Sequence, residues 1–255
     1  MKFLQYITFI FPLLVSCQQY NKQPYDKYEK TLRAFPTSTT EIIFDSLWTK
    51  RDSLTYLRLE NVRNIYFSDT DSIPIWISNF KHLKSIESFS EKIKINNIPK
   101  DIGKNVNLTH IELPHNNIIK IPQSLYNLKK LERLNLSDND IEKIDTQIEN
   151  LKEIKIILLS DNQDLLNIPD EICNLSNLVS LPINNTGISN LPKCLKNMKN
   201  LESIDISSTS ISYLPIEILN APKLDEINAK GLKLNNYKEV KAICKKRNIT
   251  FYYDE

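Results

Sequence analysis

A pattern of leucine or isoleucine at positions one, four and six, then asparagine or threonine at nine, returns about every 23 residues from Leu108 onward. Copies open at Leu108, Leu131, Ile154, Leu178, Leu201 and Leu224, with two looser ones at Leu54 and Leu83. Such a period builds a stack of like units, each covering its neighbour's apolar face, rather than one globule around one core. In the copy opening at Leu131, strand alternation sends Leu134 and Leu136 one way and Arg133 and Asn135 the other. Past a bend, Ile141 and Ile144 return to the interior. The spacing then widens to three at Ile148 and Leu151, as at Ile172 and Leu175 or Leu195 and Met198, which predicts a short helical or 3₁₀ segment. Ile98-Pro99, Ile121-Pro122, Ile168-Pro169, Leu191-Pro192 and Leu214-Pro215 mark where that segment opens. Proline is expected at its first helical position, where the missing N–H costs nothing. Asp145 takes that place in the Leu131 copy. Proline at this recurrence excludes a helical bundle.

Position nine has its own chemistry. Asn116, Asn139 and Asn162 stand where strand becomes loop, and an amide carries both donors and an acceptor. Each is expected to bond its own coil and the next. Thr186 and Thr209 do part of that work, while Val62 and Leu232 cannot, marking irregular end copies. Together these positions resemble the leucine-rich repeat family, pattern LxxLxLxxNxIxxIPxxIxxLxx, in its short bacterial form. The resemblance implies an α/β solenoid: a horseshoe with a parallel concave β-sheet and short helical or 3₁₀ segments on the convex side. It covers about eight copies over residues 54–234.

Residues 1–16 form a targeting segment, with Lys2 before the apolar stretch Phe3 to Val15. The stretch is too short for a confident membrane span. Leu14-Val15-Ser16-Cys17 resembles the lipobox of bacterial lipoproteins, which implies cleavage before Cys17 and its acylation, palmitate included. Several acyl chains anchor a protein firmly. Residues 17–30 are polar and aperiodic, suiting a tether. By analogy with enteric sorting, Gln18 favours the outer membrane, the protein facing the periplasm or the outside. Cys173 and Cys194 fall on the same side of adjacent copies, so an oxidising compartment permits a bridge, although a two-position offset works against it. Cys244 reads as a small buried hydrophobe.

Both ends of a solenoid need caps. Residues 31–53 supply Ile42, Ile43, Phe44, Leu47 and Trp48 at the N-terminus. Residues 235–255 read as a helix over Asn236 to Arg247, then a last strand at Ile249 to Tyr253. The lysines of that helix are expected on its solvated face.

Function then belongs to the outward side of the sheet. Position five places Arg58, Glu87, Glu112, Asn135, Leu158, Pro182, Asp205 and Asn228 there. Position three adds Tyr56, Ser85, His110, Arg133, Ile156, Ser180, Ser203 and Glu226, and Phe89 lies just beyond a strand. In Ile154-Lys155-Ile156-Ile157-Leu158-Leu159 both faces are apolar. With Pro182 they form a patch rimmed by Arg133, Asn135, Ser180 and Asp205, suited to anchoring a partner. The resemblance implies a non-catalytic binder of protein or peptide, acting as a monomer. The alternative is a surface adhesin or structural protein recognising host or matrix polymers; sparse aromatics on the face argue against sugar stacking.

The chain has 33 basic and 31 acidic residues, so it lacks the concentrated positive charge of nucleic-acid binders. Three glycines leave no phosphate loop. His110, Glu112, His115 and Glu87 invite thought of a metal, but only two converge convincingly, and neither metal nor cofactor is expected. No GxSxG or Ser/His/Asp arrangement stands out, and repeats and caps together account for almost the whole sequence.

Overall fold

In a computed structural model, the chain divides into two units, Met1–Thr39 and Thr40–Glu255. The described residues, 40–44, 60–90 and 92–254, all lie in the second. The targeting segment, Cys17, the tether, Leu47, Trp48, Leu54, Tyr56 and Arg58 lie outside them.

Among the described residues, ten strands form one open, curved, parallel sheet in strict sequence order. They are β1 (Glu41–Phe44), β2 (Asn64–Phe67), β3 (Ser85–Ser88), β4 (His110–Glu112), β5 (Arg133–Asn135), β6 (Ile156–Leu158), β7 (Ser180–Pro182), β8 (Ser203–Asp205), β9 (Glu226–Asn228) and β10 (Thr250–Tyr252). Five-residue 3₁₀ turns, from Ile75–Asn79 through Ile216–Asn220, form the opposite wall. Between the walls the repeat leucines stack in columns: Leu108, Leu131, Ile154, Leu178 and Leu201 at position one, and Ile111, Leu134, Ile157, Leu181 and Ile204 at position four, are all buried. Each buried aliphatic side chain contributes roughly 2 kcal/mol of transfer free energy, and every coil repeats the contribution.

The first coil corrects the sequence reading. Val62 fills position one, not nine: it is buried, and Ile65 and Phe67 follow it into the core. The strand facing Ser85–Ser88 is therefore Asn64–Phe67. β1 pairs with it in turn, so Ile42 and Phe44 enter the core from the first strand of the sheet. Phe44 meets Phe67 and Trp76 at ring-centroid distances of 5.7 and 5.2 Å, giving this end an aromatic core.

Proline stands one place earlier than expected. Pro99, Pro122, Pro169, Pro192 and Pro215 are N-caps, and Pro74 is a sixth; the backbone is extended at Pro74, Pro99, Pro122 and Pro169. A cap needs no intrahelical N–H, and its carbonyl accepts the first i→i+3 bond, as from Ile102 N to Pro99 O at 3.0 Å. Asp145 caps with its side chain, which accepts from Gln147 N at 2.9 Å.

The asparagine ladder points backwards. Asn162 Oδ1 accepts from Ile141 N at 2.8 Å, and its Nδ2 donates to Leu136 O and Leu159 O, both at 2.9 Å. Asn139 does the same one coil earlier, accepting from Ile118 N and donating to Leu113 O. Each amide thus joins its own coil to the preceding one, not the next. Thr186 and Thr209 bond only their own coils, to Ile183 O and Ile206 O.

Position eight carries a column that the repeat pattern did not announce. Asp69, His115, Asp138, Asp161, Asn185, Ser208 and Gly231 all have positive φ, between 51° and 76°. A left-handed residue turns the chain out of the strand. In this conformation the amide of Asp138 reaches Ser160 O at 2.8 Å and that of Asp161 reaches Asn184 O at 2.9 Å, each in the following coil. Asp, Asn and Gly tolerate that region best.

Cys173 and Cys194 are bonded, with Cα atoms 5.9 Å apart. They sit in successive 3₁₀ turns, Asp170–Asn174 and Lys193–Asn197. Residues in such turns advance only about 2 Å each, so the two-position offset is absorbed. Close coil packing shows at Gly103, where a Cβ would stand 2.2 Å from Ser124 O, so only glycine fits.

α1 (Tyr237–Arg247) closes the far end, with Val240 and Cys244 buried against the last coil. Asn236 clamps it there, donating to Leu214 O at 2.8 Å and accepting from Leu214 N at 3.2 Å. Lys241, Lys245, Lys246 and Arg247 are exposed. No described helix is long and apolar enough to cross a membrane.

Candidate binding face

Register fixes which side chains share the concave face. Position three runs Asn64, Ser85, His110, Arg133, Ile156, Ser180, Ser203 and Glu226 across neighbouring strands. Position five runs Tyr66, Glu87, Glu112, Asn135, Leu158, Pro182, Asp205 and Asn228. Glu87, His110, Glu112, Arg133, Asn135, Ile156, Leu158, Pro182 and Asp205 thus stand on the face where the sequence put them. Tyr66 was missed because the first coil was read in the wrong phase. Its signal was the 21-residue spacing of Ile65 to Ile86.

The face has three zones. At the N-terminal end, Glu112 accepts from Arg133 Nε at 2.5 Å and from Asn135 Nδ2 at 3.0 Å, tying β4 to β5. Glu87 accepts from Ser85 Oγ at 2.9 Å. Burial holds the Glu87 carboxyl above its usual range against that hydrogen bond, and the Glu112 charge adds to the rise. Burial, helped by Glu87 and Glu41, pushes the Tyr66 phenol up to about 12, so it stays neutral. The Tyr66 ring lies 6.3 Å from that of Phe89, which is 46% exposed at the rim. Beside Phe89, a cleft of about 400 Å³ opens between Ser88, Lys94, Pro114 and the hydrogen-bonded pair of His115 Nδ1 and Asp138 Oδ2, 2.6 Å apart.

The central zone is apolar. Ile156, Leu158 and Pro182 are half-buried. Arg133 and Ser180 flank Ile156 on either side. Pro182 has no N–H to give the ladder, so β6 and β7 register through the single pair Ile156–Ser180. The ladder resumes where Leu159 N donates to Pro182 O at 3.1 Å. The third zone is polar: Ser180 and Ser203 share a hydrogen bond of 2.8 Å, and Asn228 Nδ2 donates to Asp205 Oδ2 at 2.9 Å.

The histidines do not converge. His115 turns to Asp138, while His110 Nδ1 lies 2.9 Å from Thr109 Oγ1. Among the described residues no three His, Cys, Asp or Glu side chains are grouped to hold a metal.

A pH dependence follows from Glu87. Its folded-state pKa is raised, so the folded protein is relatively favoured while the group is protonated and loses that advantage as pH rises through the folded value. Glu87→Gln is therefore expected to stabilise the protein at pH 7, with the gain shrinking towards pH 4; urea melts at both pH values read it. An equal gain at both would contradict the assignment.

The leucine rich repeat family profile matches residues 93–141 and 106–163. No protein of curated function matches the sequence. Among solved structures, an internalin of Listeria monocytogenes is 21% identical at a TM-score of 0.64, over 80% of this chain and 66% of its own. A leucine-rich repeat protein of Leptospira interrogans is 19% identical at a TM-score of 0.63, over 92% of this chain and 70% of its own. The leucine-rich repeat ectodomain of a plant membrane receptor kinase from Arabidopsis thaliana was solved in complex with Casparian strip integrity factor 2. It is 22% identical at a TM-score of 0.64, over 76% of this chain but 23% of its own. The fold is thus a leucine-rich repeat solenoid, a scaffold that commonly mediates protein–protein binding and is generally non-catalytic.

Proposed function

We propose that this leucine-rich repeat solenoid is a lipid-anchored protein of the bacterial cell envelope that captures a protein or peptide on its concave sheet. The observation that carries the binding reading is the central zone. From β3 to β9, Ile156, Leu158 and Pro182 interrupt rows at positions three and five that are otherwise polar or charged, in the middle of the sheet. Apolar side chains ringed by satisfied polar groups are what an interface core requires. That the plant receptor ectodomain was solved in complex with Casparian strip integrity factor 2 supports such a use of the fold.

The anchoring reading rests on Leu14-Val15-Ser16-Cys17 behind an apolar stretch, and Gln18 favours the outer membrane. The Cys173–Cys194 bond supports an oxidising compartment such as the periplasm or the surface.

Ile156→Asp with Leu158→Asp is expected to abolish partner capture in a cross-linking experiment on native envelopes, while circular dichroism and melting show an intact solenoid. Capture retained by the folded double variant sinks the binding reading. Separately, Cys17→Ser is expected to lose metabolic lipid label and to leave the membrane fraction; label retained at another site would refute the anchor.

A further inference from the structure

We infer that the captured segment is basic and extended, carrying a Lys or Arg side chain four residues from an apolar one. This rests on the concave-capture reading above and specifies its ligand. The chain as a whole is close to neutral, at +2. Its concave face is not. Among the described side chains at positions three and five, the carboxylates Glu41, Glu87, Glu112, Asp205 and Glu226 stand against one guanidinium, Arg133. The charge complement of that face is cationic.

The carboxylates are not equivalent. Glu112 is occupied by Arg133 and Asn135, and Asp205 accepts from Ser207 and Asn228. Glu87 accepts from Ser85 through Oε1, although an ionised carboxylate has about four acceptor positions. It lies between the Tyr66 column and Glu112, with Phe89 just past the end of its strand. A half-buried carboxylate beside aromatic faces suits an ammonium or guanidinium, which gains charge pairing and cation–π contact at one place.

Spacing then follows from strand geometry. Glu87 in β3 and Leu158 in β6 share the position-five row, three strands apart. Strands lie about 4.8 Å apart, so the separation is roughly 14 Å. An extended chain laid across the strands advances about 3.3 Å per residue, which covers that distance in about four residues. Four is even, so both side chains point at the sheet.

The test uses immobilised ten-residue Ser/Gly peptides carrying one Arg and one Leu, two to six residues apart in both orders, with Glu-for-Arg counterparts, probed with the whole protein. Retention is expected to peak at a separation of four, to vanish in the Glu counterparts and to weaken with salt. Glu87→Lys, folded by circular dichroism, is expected to lose at least tenfold in retention of the Arg peptides and none for Leu-only controls. Ile156→Asp with Leu158→Asp loses both. Retention without preference for Arg or for spacing overturns the inference, as does the absence of retained peptides. Envelope capture that is sensitive to the Asp pair but indifferent to Glu87→Lys overturns it too, yet leaves concave capture standing. Capture indifferent to both removes the reading beneath it.

Discussion

Asn162→Ala is expected to destabilise the solenoid by about 3–4 kcal/mol, far more than its size suggests. Asn162 is completely buried. Its loss removes the acceptor for Ile141 N and the donor for Leu159 O, both in an apolar interior, while Leu136 O keeps only the donor from Asn139 Nδ2 at 3.1 Å. Each buried polar group stripped of its partner costs about 1–3 kcal/mol. Because Ile141 and Leu136 belong to the preceding coil, the damage falls on the junction between two coils. Hydrogen exchange is expected to accelerate first around residues 136–141, then along the adjoining coils. Thr186→Val is the control: it removes one bond, to Ile183 O, and is expected to cost about 1 kcal/mol. Similar costs for the two variants in urea melts would refute the ladder as the element joining coils.

Cys173→Ser with Cys194→Ser is expected to lose about 3 kcal/mol, the chain-entropy value for a closed loop of this length. Reductant should bring the wild type down to the double variant and leave the variant unmoved. The single variants should behave like the double one, because Cys244 offers no replacement partner. It is buried within α1, and burial pushes its thiol up to about 11. A reductant response in the double variant would mean that the staple is not the redox-sensitive element.

The coils from Leu108 to Leu224 were legible because each recurrent position does a distinct physical job. Alternation marks the strand, asparagine the turn, proline the opening of the 3₁₀ segment. The first coil was not, because Leu54-x-x-Leu57-x-Leu59 and Val62-x-x-Ile65-x-Phe67 satisfy the same pattern. Only the pairing partner selects between phases, and β3 pairs with Asn64–Phe67. The left-handed column was hidden for another reason. Asp, His, Asn, Ser and Gly share no chemistry there, only a tolerance of positive φ, so no residue type recurs to be noticed. On the candidate face, alternation alone placed Glu112, Arg133 and Asn135 outward. That they bond one another, leaving Glu87 the freer carboxylate, required side-chain geometry.

The strict order of the ten strands has a mechanical consequence. Every ladder hydrogen bond runs along the stack, so a pull between its two ends loads those bonds in series, and the weakest junction opens alone. Such a spring would give way coil by coil at modest force, not in one event at high force. The staple at Cys173–Cys194 spans one junction only, between β6 and β7, where Pro182 leaves the ladder short of a donor. A tug on whatever sits over Ile156 and Leu158 would meet a covalent bond at the place where the sheet alone is least able to resist.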